Sequence, residues 1–341
     1  DLIELPRRFQ MGQPIAARAQ AEHPVLMPGM AMRILTGGLL PLGADTVVRQ
    51  ELTQSNSPSD AVTILHSVAL GTDIRTIGEE MPKGALVAAR GTRITPGLIG
   101  TLALAGVSEV QVAKRPRIVV LVSGDEVVRD GSALQLGQVP DANGPLLQAF
   151  LQSWDITPLR IEAMADTADA VRTAMHRAFS EADIVLTTGG VSVGDHDYIP
   201  AVAESLGAER LLWKVAQKPG MPLYVARLGS TLLFGLPGNP ASVLVNLMVH
   251  VRALLDTQQG LDAMQRWHPA PLSLTVKRDA EKTFWLRAVQ GVDAQGQISL
   301  QALPNQGSHM LSNLANANAL LRVPPASAQG EASAISWCAL Q

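Results

Sequence analysis

Three predominantly apolar runs, each ending in a glycine- or proline-bearing loop, constrain this chain more than any other feature. Ile118-Val119-Val120-Leu121-Val122 runs into Ser123-Gly124, Asp183-Ile184-Val185-Leu186-Thr187 into Gly189-Gly190, and Thr231-Leu232-Leu233-Phe234-Gly235-Leu236 into Pro237-Gly238. A strand that is apolar at nearly every position must be covered on both faces, the condition of a parallel sheet between helices. Helical patterns at 146–154 and 168–180, a further strand pattern at 158–163 and a helix of about 15 residues from Ala241 separate or follow these runs. This alternation predicts an α/β fold whose central sheet is doubly wound and mostly parallel, with right-handed crossovers. Ligands in such sheets sit at the carboxyl ends of the strands, which directs attention to the loops between Ser123 and Ser242.

The flanks are different. Residues 1–78 alternate short apolar stretches, such as Thr46-Val47-Val48-Arg49-Gln50 and Val62-Thr63-Ile64-Leu65-His66, with Gly, Pro, Ser and Asn, which predicts a β-rich region of short strands. A helix is expected at 96–105, with Thr95 as N-cap, Pro96 in the first turn and Gly106 as its end. Beyond Leu272, strand-like pieces at 273–276, 284–289, 298–302 and 319–323 predict a small C-terminal β-barrel. The expected domains are therefore 1–115, 116–260 and 265–341, in keeping with a 341-residue chain too long for one core.

Composition narrows the function classes. A formal net charge of -3 lacks the basic field of a general nucleic-acid or anionic-membrane binder. No apolar run reaches the ~20 residues needed to cross a bilayer. A single cysteine, Cys338, rules out an intrachain disulfide or a cysteine metal site and suits the cytoplasm. The start at Asp1 suggests a trimmed product.

Four segments carry candidate chemistry. Ser123-Gly124-Asp125-Glu126 offers two acids at a strand end, either for a hydrated Mg²⁺ or simply as a turn that caps a helix. Thr187-Thr188-Gly189-Gly190-Val191-Ser192-Val193-Gly194-Asp195-His196-Asp197 combines glycines, which allow close backbone approach, with hydroxyls that can cradle phosphate oxygens. It also fits G-x-S-x-G, but the acids that follow replace the helix that a hydrolase elbow demands. Leu236-Pro237-Gly238-Asn239-Pro240-Ala241-Ser242 predicts a helix start with Asn239 as N-cap and its free N–H groups facing an anion. Lys214 and Lys218, beside Pro219-Gly220, can neutralise a ligand's charge.

In this order, the segments resemble the molybdopterin molybdenumtransferase family and the related E domain of gephyrin. The matching pieces also include Met32-Arg33-Ile34-Leu35-Thr36-Gly37, Gly43-Ala44-Asp45, Ile74-Arg75, Gly78-Glu79-Glu80 and Gly307-Ser308-His309-Met310-Leu311. The resemblance implies a homodimer that inserts molybdate into adenylylated molybdopterin with Mg²⁺ assistance and releases AMP. It also implies molybdopterin adenylyltransferase and molybdoenzyme chaperones as partners. Matched residue by residue, it places Glu126 and Asp197 at the metal and in catalysis, and Lys214 and Lys218 as catalytic cations. It places Thr36, Ser123, Gly124, Asp166, Gly189, Gly190, Ser192, Gly194, Pro237, Gly238, Asn239, Pro240, Ser242, Arg287 and Ser308 at the cofactor.

Departures from the family pattern are the absence of a Met-Asp-Gly-Tyr-Ala segment, Glu80 in place of the usual Asp, and Met221 where a third Lys is common. Two alternatives share the fold: a binding or scaffold protein without turnover, and a nucleotide pyrophosphatase built on the central domain.

Overall fold

The computed structural model describes residues 7–17, 22–55, 61–129, 131–191, 197–271 and 276–340. The chain divides into two compact units, 1–87 and 88–341.

The first unit holds a four-stranded sheet in the order Met30–Ala31, Arg7–Met11, Ala61–Ile64, Thr53–Gln54. The first pair is parallel and the other two are antiparallel. Thr46-Val47-Val48-Arg49-Gln50, expected as a strand, is not one. Its backbone turns toward a neighbouring loop instead, with Val47 N donating to Thr72 O at 3.0 Å and Asp45 O accepting from Gly71 N at 3.0 Å. Arg49 pairs with Asp73 at 2.7 Å on the same loop. With its polar groups spent there, the segment has no ladder to join.

The second unit opens with the helix Pro96–Leu104, whose N-cap Thr95 accepts from Leu98 N. Gly106 follows at φ 75°, the left-handed conformation that ends a helix. Its central sheet has six strands in the order Glu209–Trp213, Tyr224–Leu228, Thr231–Leu236, Ile184–Thr188, Ile118–Ser123, Arg160–Met164. The last four are mutually parallel, and the two at the other edge are antiparallel.

The uniform apolarity of the central strands has the expected cause. Along Ile118–Ser123, Ile118, Val120 and Val122 pack with Leu147 and Leu151 of the helix Asn143–Ser153 and with Val243, Leu247 and Val251. Val119 and Leu121 point the other way, into Val171, Met175 and Ala178 of the helix Ala168–Glu181 and Ile199 and Val202 of Tyr198–Ser205. Every residue is covered, one face by each helical layer.

The helix expected from Ala241 begins at Pro240 and extends through Gln258 in three parts: Pro240–Asn246, a wide π turn Leu247–Val251, and Arg252–Gln258. It is buried nearly all round because it lies between two sheets. Leu244, Val245 and Met248 face Trp285, Leu320, Cys338 and Leu340 of the C-terminal sheet. That sheet has the order Gln217–Lys218, Thr283–Val292, Ala319–Val323, Ser336–Ala339, His268–Pro269, with Ile298–Ala302 paired to Thr283–Val292. Its described strands form an open path with no closure. Most of the strand expected at 273–276 lies outside the described residues. No helix among the described residues is long and apolar enough to cross a membrane.

Candidate functional site

The four parallel strands deliver their carboxyl ends to one edge. Register places Leu236 beside Thr188, Thr188 beside Val122, and Ser123 beside Met164. The loops that follow are therefore neighbours, and their side chains lock them together. Ser123 donates its hydroxyl to an Asp166 carboxylate oxygen. Asp125 N donates to the other Asp166 oxygen at 3.3 Å, and Asp166 N returns a bond to Asp125 Oδ1 at 3.0 Å. Both carboxylates are thus occupied in bracing two loops. Glu126 stays exposed beside them, with its Oε2 next to Gly124.

Gly189 and Gly190 adopt φ 85° and 67°, where a side chain is strained. A Cβ at Gly189 would lie 3.2 Å from the Ser123 carbonyl oxygen, and one at Gly190 would lie 3.0 Å from Ile199. Glycine here allows two loops to pass backbone against backbone. Gly189 N donates to Leu236 O at 2.9 Å, and Gly238 packs over Gly189. The buried hydroxyls of Thr187 and Thr188 have no partner among the described residues. Ser192 and Gly194 lie outside the described residues. Asp197, partly buried, occupies the N-cap position of Tyr198–Ser205 without a side-chain cap bond.

The 236–242 turn corrects one expectation. Asn239 does sit at the N-cap, but its side chain does not cap, and the helix start offers no free donors. Pro240 has no N–H, Ala241 N donates to Ser308 O at 3.1 Å, and Ser242 N and Val243 N both reach the Asn239 carbonyl. The Asn239 side-chain amide Nδ2, which a cap would not use, donates to Ser308 Oγ at 3.2 Å. Pro237 is buried, Gly238 and Asn239 are exposed, and Ser242 is 3% exposed inside the first turn.

Arg287 is fully buried. Its guanidinium donates to Asn313 Oδ1 at 2.6 Å, Asn305 O at 2.9 Å and Gly307 O at 3.3 Å, while Nη1 has no partner among the described residues. It pairs with no carboxylate among the described residues, and burial pulls its pKa down. Its bonds shape the loop that presents Ser308. Lys214 and Lys218 are both exposed, with Nζ atoms 5.2 Å from the Trp213 ring and 5.5 Å from the Phe284 ring. Thr36 belongs to the first unit, exposed on the turn that Gly37 continues at φ 81°.

Two groups of residues escape a reading of local pattern. Asn143 donates to Gly238 O at 2.7 Å, and its Oδ1 is buried without a partner among the described residues. Gln217 and Asn246 hold the 217–220 turn against the long helix. Their only sequence signal is a polar residue in an apolar stretch, at Asn246. Among the described residues, no group of three or more His, Cys, Asp or Glu is arranged to hold a metal ion.

Comparison with known proteins decides the family. Residues 119–257 match a model described as a probable molybdopterin binding domain, 4–106 match the MoeA N-terminal region (domain I and II), and 269–333 match the MoeA C-terminal region (domain IV). The molybdopterin molybdenumtransferase of Bacillus subtilis is 33% identical over 332 residues, covering 94% of this chain and 75% of that protein. That of Haemophilus influenzae is 33% identical over 85% of this chain and 72% of its own length. The chain belongs to the molybdopterin molybdenumtransferase family. Membership makes it an enzyme family member of molybdenum cofactor biosynthesis, and the strand-end loops fall in the part matched as molybdopterin-binding. The molybdopterin biosynthesis MoeA protein of Pyrococcus horikoshii, 23% identical, shares the fold with a TM-score of 0.75 across 98% of this chain and 81% of that one.

Proposed function

We propose that the chain inserts molybdate into adenylylated molybdopterin and releases AMP with the loaded cofactor. The carrying observation is the glycine-lined convergence of three loops, at Ser123, Gly189 and Gly238, on one sheet edge of a chain in this family. A pyrophosphate needs close backbone approach and cationic compensation as its bond breaks. Gly189 and Gly190 supply the approach, and the family resemblance adds Ser192 and Gly194. Lys214 and Lys218 are exposed cations suited to the departing charge. Ser123 and Asp166 brace the loop at Ser123 against the one that follows Arg160–Met164, while Asn239, Pro240 and Ser308 set the loop at Gly238.

Glu126 and Asp197 are the residues that would hold Mg²⁺. Two carboxylates suit a hydrated ion completed by phosphate oxygens. Bound there, Mg²⁺ would neutralise charge on the anhydride. Asp125 and Asp166 brace the loops beside Glu126, their oxygens accepting from Ser123 and from each other's loop. The working unit is a homodimer in the cytoplasm. It receives its substrate from a molybdopterin adenylyltransferase and passes its product to molybdoenzyme chaperones.

The metal assignment is tested with Asp197→Ala. Mg²⁺-dependent AMP release should fall at least tenfold while the circular dichroism spectrum and urea midpoint stay near wild type. Undiminished release would remove Asp197 from the metal.

A further inference from the structure

Gln217 is the hub of a buried polar network that nothing in the loop chemistry accounts for. Its Nε2 donates to Gly220 O at 3.0 Å and Asn246 Oδ1 at 2.8 Å. Its Oε1 accepts from Trp285 Nε1 at 3.1 Å and meets His250 Nε2 at 3.1 Å. Asn246 in turn donates to Gly220 O and Ser242 O, each at 3.1 Å. Gln217 is 4% exposed, Asn246 0% and Trp285 6%. Both side-chain amides have their orientations fixed, because carbonyl oxygens can only accept and the indole N–H can only donate. His250 must therefore carry its proton on Nε2.

The network joins three elements. Ser242, Asn246 and His250 belong to the long helix, and the π turn Leu247–Val251 carries His250. Trp285 belongs to the C-terminal sheet, where Gln217–Lys218 pairs in parallel with Thr283 and Phe284. Gly220 follows the cis Lys218-Pro219 bond at φ 91°, and a Cβ there would lie 2.8 Å from Asn246 Nδ2 and 3.0 Å from Gln217 Nε2. The turn is thus built tightly onto the two amides. Lys218 is the exposed residue at its start, with its ammonium 5.5 Å from the Phe284 ring.

We propose that Gln217 is a positioning residue that acts through Lys218: by locking the 217–220 turn to the helix and to Trp285, it sets where the Lys218 ammonium stands. This rests on the proposed transferase reading for its kinetic consequence, but not for its structural one. A buried polar cluster is worth retaining only when fully satisfied. Here the Gln217 amide is satisfied from both sides, while its backbone neighbour presents a charge outward.

A double-mutant cycle separates positioning from bulk stability. Gln217→Met preserves volume and removes all four side-chain bonds. AMP release should fall about tenfold in kcat with little change in KM, and Gln217→Met added to Lys218→Ala should cause less than a twofold further loss. Trp285→Phe, which deletes one donor and keeps most of the packing, should show a smaller loss that is likewise erased in Lys218→Ala. It serves if Gln217→Met does not fold. Equal losses in both backgrounds, or no loss, would overturn the proposal.

A second readout needs no turnover. The ring current of Phe284 should displace the Lys218 side-chain methylene resonances, and Gln217→Met or Trp285→Phe should move them toward random-coil positions. Unmoved resonances in a folded variant would refute the positioning role, whereas absent AMP release from the wild type would instead count against the transferase reading.

Discussion

Asn239 donates its side-chain amide to the Ser308 hydroxyl at 3.2 Å across 69 residues of sequence. The Ser308 carbonyl takes the Ala241 N–H at 3.1 Å, so the turn that ends the strand Thr231–Leu236 and the loop shaped by Arg287 are one structure. Residues that read separately as a helix cap and a distant serine motif form a clamp in which the turn donates twice to Ser308.

Asn239→Ala should cost about 1 kcal/mol, the usual net worth of a neutral hydrogen bond. Urea unfolding checks the magnitude. Affinity for adenylylated molybdopterin should fall more than this stability change suggests, because Ser308 loses a fixed partner. Equal ligand affinity in wild type and variant would show that the clamp is structural alone.

Gly189→Ala should be harsher. The residue sits at φ 85°, and its new Cβ would lie 3.2 Å from the Ser123 carbonyl oxygen, a backbone atom with little room to retreat. The left-handed backbone costs about 1–2 kcal/mol by itself. Turnover should drop further, since the loops at Ser123 and Gly189 are forced apart. Denaturation and AMP release measured on one preparation distinguish the two effects.

Arg287→Lys tests how a buried cation supports the Ser308 loop. Lysine cannot reproduce the planar fork that reaches Asn305, Gly307 and Asn313. A stability loss of about 1–3 kcal/mol and faster amide exchange over 305–310 are expected. Unchanged exchange there would mean that the carbonyls find other donors.

His250 makes stability depend on pH. Burial depresses its pKa to about 4, against an ordinary value near 6.5. Above 6.5 the imidazole is neutral in both folded and unfolded chains, and folding is not penalised. Between 6.5 and 4 the unfolded chain takes up a proton that the folded chain refuses, so stability falls as pH falls, by on the order of 3 kcal/mol when complete. His250→Gln should remove that part of the decline, which is read from urea midpoints at pH 7.5 and 5 in both proteins.

The central strands were legible because burial on both faces leaves one signature at every position. Thr231–Leu236, Ile298–Ala302 and Ala319–Val323 fall where the apolar runs place them. The 46–50 segment has a similar composition, yet its bonds go to a loop around Thr72, which no local pattern reveals. Glycine loops announce themselves through residues that only a special backbone needs. Asn143 and Gln217 do not, because their partners lie 95 and 29 residues away. Asn143 sits where an ordinary helix start would also place an asparagine. The free helix-start donors read from the 236–242 turn were not there for a related reason: Ala241 N is paired with the carbonyl of Ser308, a residue far away in sequence, and Ser242 N and Val243 N reach the Asn239 carbonyl.

The most direct test of the account is AMP release by the purified chain from adenylylated molybdopterin, with molybdate and Mg²⁺ each present or withheld. Release that requires both, with molybdenum recovered in the pterin product, is the predicted result. Release indifferent to molybdate, or extending to unrelated dinucleotides, would contradict the transferase and point to a pyrophosphatase on the same sheet edge.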